Sequence, residues 1–267
     1  MIYHASKMSR LLEAYRLLKK SLFQTKAQAE RTWSSFQYLA AQFDLQGEKN
    51  ILELGVGSRM GLMPLFDRSC KVIGVDLLES KKGWTWFKST MRKICFDPIY
   101  FAHLKKLNND TLQARTVIVA DAVRTPFPSQ YFDFVYSRYL LEHVENLNEI
   151  VAEISRLLRN GGITFHWVAP FTALDGGHSL NYRSYPPWEH LLSEVPTNVF
   201  INKKRIHEYV DTFNERFGVG NVYVNCNENG EAISLLTPAI LDKLTRAGYS
   251  KDELLVGSMT IMAQKID

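Results

Sequence analysis

Ile51-Leu52-Glu53-Leu54-Gly55-Val56-Gly57-Ser58-Arg59-Met60-Gly61 is an apolar run that stops on glycines. About twenty residues later, Val72-Ile73-Gly74-Val75-Asp76 carries a second apolar run to a carboxylate. The first pattern predicts a buried strand whose backbone turns sharply at its tip. The second places an acidic side chain at the tip of the next strand, where it can accept from both hydroxyls of a ribose. Glycine matters at Gly55 and Gly57 because a Cβ there would stand between main chain and ligand. Together these features point to a doubly wound α/β domain that cradles an adenosine-bearing ligand.

Outward from that pair, short apolar segments alternate with helical patterns. Strands are predicted at 50–54, 71–75, 116–120, 133–136, 163–168, 220–226 and 257–264, with helices at about 60–67, 146–158, 203–216 and 238–247. This alternation implies a mostly parallel sheet covered on both faces, closed by a hairpin-like edge of the last two strands, seven strands in all. Asn160-Gly161-Gly162 reads as a turn. Ahead of the first strand, Leu11, Leu12, Tyr15, Leu18, Leu22 and Phe23 recur at helical spacing and predict a helix over 6–43. The expected organisation is a helical extension, 1–46, followed by a catalytic domain, 47–267, with insertions at about 81–112 and 171–200.

The chain of 267 residues is 46% hydrophobic, enough for one sizeable core. It has no apolar run of the roughly 18 residues a membrane span needs, and Met1 to Lys7 lacks the apolar stretch of a signal peptide. Cys70, Cys95 and Cys226 stand far apart, which argues against a disulfide framework or zinc site and for a reducing, cytoplasmic setting. The net charge of +4 is mild, but 81–115 holds eight Lys or Arg against two Asp. With Trp84, Trp86 and Phe87 among them, that segment suits a lid, a structural helix with lysine stems laid over apolar neighbours, or peripheral membrane contact.

These motifs resemble the class I S-adenosylmethionine-dependent methyltransferases, by motif over 48–170 and by element order to the C-terminus. The resemblance implies a seven-stranded Rossmann-like methyltransferase fold with S-adenosyl-L-methionine as the methyl donor. Glu53, Gly55 and Gly57 match the first motif, although Arg59 stands where a third glycine is usual. Asp76 aligns with the ribose-binding carboxylate, and Leu77 would pack on the adenine. Ala120-Asp121-Ala122-Val123 with Thr125-Pro126-Phe127-Pro128 resembles the adenine-binding signature, which assigns Asp121 and Ala122. Phe132 to Ser137 matches the fourth strand and adds Ser137. Leu141-Glu142-His143-Val144 and Leu157 to Gly162 match further segments. Asp133, at a strand start, takes a structural role. The signature of amino-group methylation on DNA is missing after the fourth strand, where Ser137-Arg138-Tyr139-Leu140 stands, so nucleic acid is not the expected partner.

The acceptor is sought in the second insertion. Asp175 and His178 lie three apart past the fifth strand of the sheet, on a loop flexed by Gly176 and Gly177. A histidine titrating near neutrality can take the proton of a hydroxyl acceptor, with Asp175 orienting it and His143 as a second candidate base or a cofactor-side residue. Arg183 can hold an anionic group, while Tyr182 and Trp188 offer flat faces to a sugar or aromatic ring. A self-packed loop around Pro186-Pro187-Trp188 is the structural alternative. No metal is assigned; His166, Asp175 and His178 form the weaker, metal-binding alternative. The expected activity is O-methylation of a small-molecule or saccharide-type hydroxyl. A membrane-peripheral enzyme acting on a lipid-linked acceptor and a non-catalytic adenosyl-binding protein are the competing readings.

Overall fold

A computed structural model describes residues 2–77, 93–109, 111–178, 182–197 and 199–266; the side chains of residues 2–14, 17, 58 and 182 are outside that description. Leu11, Leu12, Trp84, Trp86 and the lysines at 81, 82 and 88 therefore lie outside the described side chains, and with them the membrane-contact reading. Contacts divide the chain into two compact units. One comprises Met1–Gly47, Gly57–Ser69 and Leu78–Arg115, the other Glu48–Val56, Cys70–Leu77 and Thr116–Asp267.

The larger unit is built on one seven-stranded sheet. In chain order its strands are β1 (Asn50–Leu54), β2 (Lys71–Asp76), β3 (Thr116–Val119), β4 (Phe132–Arg138), β5 (Leu158–Val168), β6 (Val222–Glu228) and β7 (Val256–Gln264). Their spatial order is β3-β2-β1-β4-β5-β7-β6, with β7 antiparallel to both neighbours and the first five parallel. β1 lies inside the sheet between β2 and β4 because its length is mostly apolar: Ile51, Leu52 and Leu54 are inaccessible to solvent, as are Val75 and Val135 on the strands beside it, and Glu53 is its one buried charged side chain. Asp133 fixes the start of this pairing by accepting the Asn50 N–H at 2.7 Å and pairing with Arg159 at 2.6 Å.

Helix α3 (Leu147–Leu157) begins where the Asn146 side chain accepts from the N–H groups of Asn148 and Glu149. Its apolar stripe, with Ile150, Val151, Ile154 and Leu157, is buried in the main core, as are Tyr209, Phe213 and Phe217 of α4 (Ile206–Phe217). Between β6 and β7 run α5 (Gly230–Leu235), α6 (Pro238–Arg246) and α7 (Lys251–Leu255). The first and last of these were not expected, although Ser250 and Glu253 form a capping box that marks α7 in the sequence. The predicted turn at Asn160-Gly161-Gly162 is absorbed into β5. Gly161 takes φ +75°, and the β4–β5 register slips between Phe132 and Phe134, so the extra residues form a bulge.

The smaller unit contains α1 (Ile2–Gln42) and α2 (Asp97–Asn108). The helix expected at 60–67 is replaced by two short 3₁₀ turns, Gly57–Arg59 and Met63–Leu65. Met60 and Gly61 adopt left-handed φ values, and Pro64 has no N–H to give, so an α-helix cannot propagate there. Arg59, the residue in the place of the third glycine, is a buried cation in this unit. Its Nε donates to Asp97 at 2.8 Å, its Nη1 to Gln28, and its guanidinium stacks 4.7 Å from the Tyr100 ring centroid. Tyr100 in turn donates to Thr32 on α1 at 2.9 Å. Arg59→Ala leaves Asp97 buried without its ion-pair partner and should cost about 3 kcal/mol. Urea unfolding of the two proteins measures this as a lower midpoint.

Candidate functional site

Four strands deliver their following loops to one cleft of ≈ 770 Å³, at the carboxyl edge of the sheet. β1 brings Gly55, β2 brings Asp76 and Leu77, β3 brings Ala120 to Val123, and β4 brings Leu140, His143, Val144 and Glu145. The volume is that of a ligand pocket rather than a packing defect. Gly55 has φ +69°, and a Cβ on it would stand 2.9 Å from Leu140 Cδ1. Here glycine is required first by the neighbouring loop, which closes directly on the backbone. Asp121 Oδ1 accepts the Val123 N–H at 3.0 Å and so folds the β3 loop into a local turn. Leu77, 61% exposed, is an uncovered apolar side chain on the cleft wall. Gly57 belongs to the smaller unit, where it opens the first 3₁₀ turn with φ +69°.

Two residues expected at the ligand are elsewhere. Ser137 is fully buried and bonds His166 Nδ1 at 2.8 Å. Thr164 gives its only hydroxyl hydrogen to the Val135 carbonyl, so it accepts from His166 Nε2–H. His166 is then a neutral imidazole with both nitrogens satisfied, which removes it from any metal set, and the Ser137 hydroxyl is spent on it. Glu53, 1% exposed, accepts the Tyr136 hydroxyl at 2.6 Å and is not among the residues lining the cleft.

His143 lines the cleft, and its ring centroid lies 5.0 Å from that of His178. His143 Nδ1–H donates to the Phe200 carbonyl at 2.8 Å, which leaves the lone pair on Nε2. His178 is half-buried with a left-handed φ of 48°, held by its N–H to the Asp175 carbonyl and by the Thr197 hydroxyl on its own carbonyl. Burial, and then the neighbouring His143, hold the His178 imidazole below its ordinary value, while Asp175 pulls it back up. That field is the only effect of the Asp175 carboxylate on the ring; the hydrogen-bonded orienter expected from the sequence is not formed. Gly176 and Gly177 do not flex the loop. A Cβ on Gly176 would meet the Pro170 carbonyl at 2.4 Å, and one on Gly177 would meet His190 at 2.6 Å, so both permit close packing.

Glu142 was read only as part of a family segment, yet it is 1% exposed beside these histidines. Its Oε1 accepts the Ala169 N–H at 3.3 Å, and burial pushes the carboxyl up to about 7. Trp188 does not offer a face to a ligand. It is 1% exposed, donates its indole N–H to the Thr172 carbonyl at 3.1 Å, and packs with Leu174, Ala232, Leu244 and Leu254. Arg183 is exposed, pairs with Glu231 at 3.0 Å and does not line the cleft, and the Tyr182 side chain is outside the described residues.

Residues 52–166 match the profile of the family described as "Methyltransferase domain". Over that stretch, less than half of its length, the chain is similar to this methyltransferase family. A 125-residue stretch, 47% of the chain, is 22% identical to the sterol 4-C-methyltransferase strm-1 of Caenorhabditis elegans and spans 32% of that relative's length. Among solved structures, a chain of the complex between the Haloferax volcanii Trm112 methyltransferase activator and a methyltransferase superposes with TM-score 0.52 at 15% identity, covering 91% of this chain and 94% of that one. Phosphoethanolamine N-methyltransferase 2 of Haemonchus contortus, in complex with S-adenosyl-L-methionine, gives TM-score 0.49 at 17% identity, covering 86% and 52%. At these identities the structural likeness is one of fold.

The cleft is electrostatically one-sided. Asp76, Asp121, Glu145 and Glu149 line it, and no lysine or arginine does among the described residues. Such a field favours a sulfonium cation and disfavours a pyrophosphate. Among the described residues no helix is long and apolar enough to cross a membrane.

His166 supplies a direct check on the buried polar layer behind the cleft. Burial pushes it down to about 3, against 6.5 when unfolded. The unfolded chain therefore binds the proton first, so the stability linked to this residue is complete above 6.5 and is lost as pH falls toward 3. Between pH 7 and 5, the wild type should lose about 2 kcal/mol more unfolding free energy than His166→Gln, as read from urea titrations at the two pH values.

Proposed function

We propose that the protein methylates a hydroxyl group of a small polar acceptor, with S-adenosylmethionine as donor. A saccharide-type acceptor is the narrower form of this reading. The observation that carries it is the juxtaposition of His143 and His178 beside an acidic, adenosyl-sized cleft. The donor supplies an electrophilic methyl group whose sulfonium charge is lost on transfer. In this reading Asp76 accepts from two ribose hydroxyls, Asp121 and the Ala122 backbone meet the adenine edge, and Leu77 covers its face; their sharing one cleft supports it. Asp76, Asp121, Glu145 and Glu149 favour the charged donor over the neutral product, which aids product release.

The acceptor must lose its proton as the new O–C bond forms. His143 Nε2 carries a lone pair on the cleft wall, and His178, held below its ordinary value, is unprotonated at neutral pH. Asp175 acts on that base only through its field. The rest of catalysis is alignment and exclusion of water, for which the closely packed 170–178 turns are suited. A second reading, methyl transfer to carbon on a lipid acceptor, draws on the stretch shared with a sterol 4-C-methyltransferase.

Calorimetric titration with S-adenosylhomocysteine tests the donor site. Asp76→Ala should weaken binding ~30-fold, the worth of charge-assisted ribose contacts. His178→Ala should keep that affinity while lowering turnover ~100-fold on the best acceptor from a panel of saccharides, small phenols, amines and sterols. Turnover confined to amines or sterols would remove the hydroxyl-acceptor reading.

A further inference from the structure

We propose that Glu142, His143 and His178 form a binding site for a first-row divalent transition-metal cation, of the Zn²⁺, Fe²⁺ or Mn²⁺ class, at the rim of the adenosyl cleft. One ring nitrogen from each histidine and one carboxylate oxygen lie within 4.8 Å of one another. Ligands about 2.1 Å from a common ion stand roughly 3 to 3.5 Å apart, so side-chain adjustments of about an ångström close the set. Two imidazoles and one carboxylate with further positions open suit these ions, whereas Mg²⁺ and Ca²⁺ favour oxygen donors throughout.

The surroundings prepare this set for an ion. Glu142 Oε2 is buried and has no hydrogen-bond partner among the described residues. A carboxylate oxygen in that state is costly unless a cation meets it. The His143 tautomer is fixed by its Nδ1–H bond to the Phe200 carbonyl, the outer-shell contact that orients a ligating imidazole. Glu142 and His143 share a short 3₁₀ turn, Leu141–His143, pinned on three sides by Asn202. That side chain donates to the Leu141 and Val144 carbonyls, its N–H donates to the Glu142 carbonyl, and its own oxygen accepts from Tyr209. His178 is locked by its turn with Asp175. The three donors thus project from two hydrogen-bonded turns.

The role of the ion rests on the methyltransferase reading above; its binding does not. An acceptor hydroxyl on an open position becomes more acidic and releases its proton to solvent. Its oxygen then takes the methyl group as the S–C bond breaks and that bonding pair stays with sulfur. The imidazoles act as ligands in this state, and the ion replaces them in promoting deprotonation.

The test uses the full chain freed of metal by chelator dialysis and titrated with Co²⁺. Visible d–d absorption and calorimetry are read in parallel, with S-adenosylhomocysteine titrated separately into each protein. The wild type should bind one Co²⁺ per chain at micromolar concentration. His143→Ala, His178→Ala and Glu142→Gln should each weaken it at least ~30-fold, with His178→Ala retaining S-adenosylhomocysteine affinity and circular dichroism. No saturable Co²⁺ binding by a wild-type chain that binds S-adenosylhomocysteine overturns the metal site and leaves the methyltransferase reading standing. Unchanged Co²⁺ affinity in His143→Ala and His178→Ala overturns it as well. Ligand-dependent Co²⁺ binding in a chain that fails to bind S-adenosylhomocysteine supports the metal site and sinks the methyl-transfer role.

Discussion

Because β1 pairs in parallel with β2 on one side and β4 on the other, the chain leaves all three strands along one edge of the sheet. Right-handed crossovers of this kind oblige the turns after Leu54, Asp76 and Arg138 to share whatever space lies above that edge. The space survives as a cleft because one contact is so close. Leu140 reaches back to the β1 turn, where Gly55 has no side chain to block it. A side chain at Gly55 would collide with Leu140 at the head of the loop that carries His143, and would do so before any ligand was involved.

This constraint explains which parts of the site were legible in the sequence. Gly55, Asp76, Leu77, Asp121, Ala122 and His143 all sit where a motif ends a strand, and strand ends are fixed by the periodicity of apolar residues. All six stand around one cleft. Ser137 and Glu53 sit within strands instead, where the side chain's face depends on pairing: Glu53 is opposite Tyr136, and Leu54 opposite Ser137. No motif states that Thr164 and His166 wait on the adjacent strand, β5, to consume the Ser137 hydroxyl. Trp188 was misplaced for a related reason. The pocket that buries it is made by Ala232, Leu244 and Leu254, from helices distant in sequence, two of which carry little signal beyond their caps.

Arg59 shows how a departure from a motif can be structural. Read against the first motif, it is a missing glycine that weakens the ligand loop. In the structure it joins Gln28, Asp97 and Tyr100, so the residue serves the packing of the helical unit. The conformational freedom that a third glycine would give is found in its neighbours, since Met60 and Gly61 both take left-handed φ. The same two residues that relax the turn are those that end the expected helix.

Two polar clusters lie along β4 and just beyond it, one fully buried and one half-buried, and they differ in how far their hydrogen bonds close. Behind the strand, Ser137, Thr164 and His166 close into a chain in which each hydrogen has an acceptor, ending on the Val135 carbonyl. Such a cluster asks for nothing more, and burial keeps its histidine neutral. Beyond the strand end, Glu142, His143 and His178 have their backbones and one ring nitrogen secured, yet one carboxylate oxygen has no hydrogen-bond partner among the described residues. Two hydrogen-bonded turns hold these donors together, His143 at the cleft wall, and among the described residues no group offsets the desolvation of that oxygen. A closed network stabilises the native state alone, whereas an open one gains from whatever binds to it, and the proposed metal site rests on that difference.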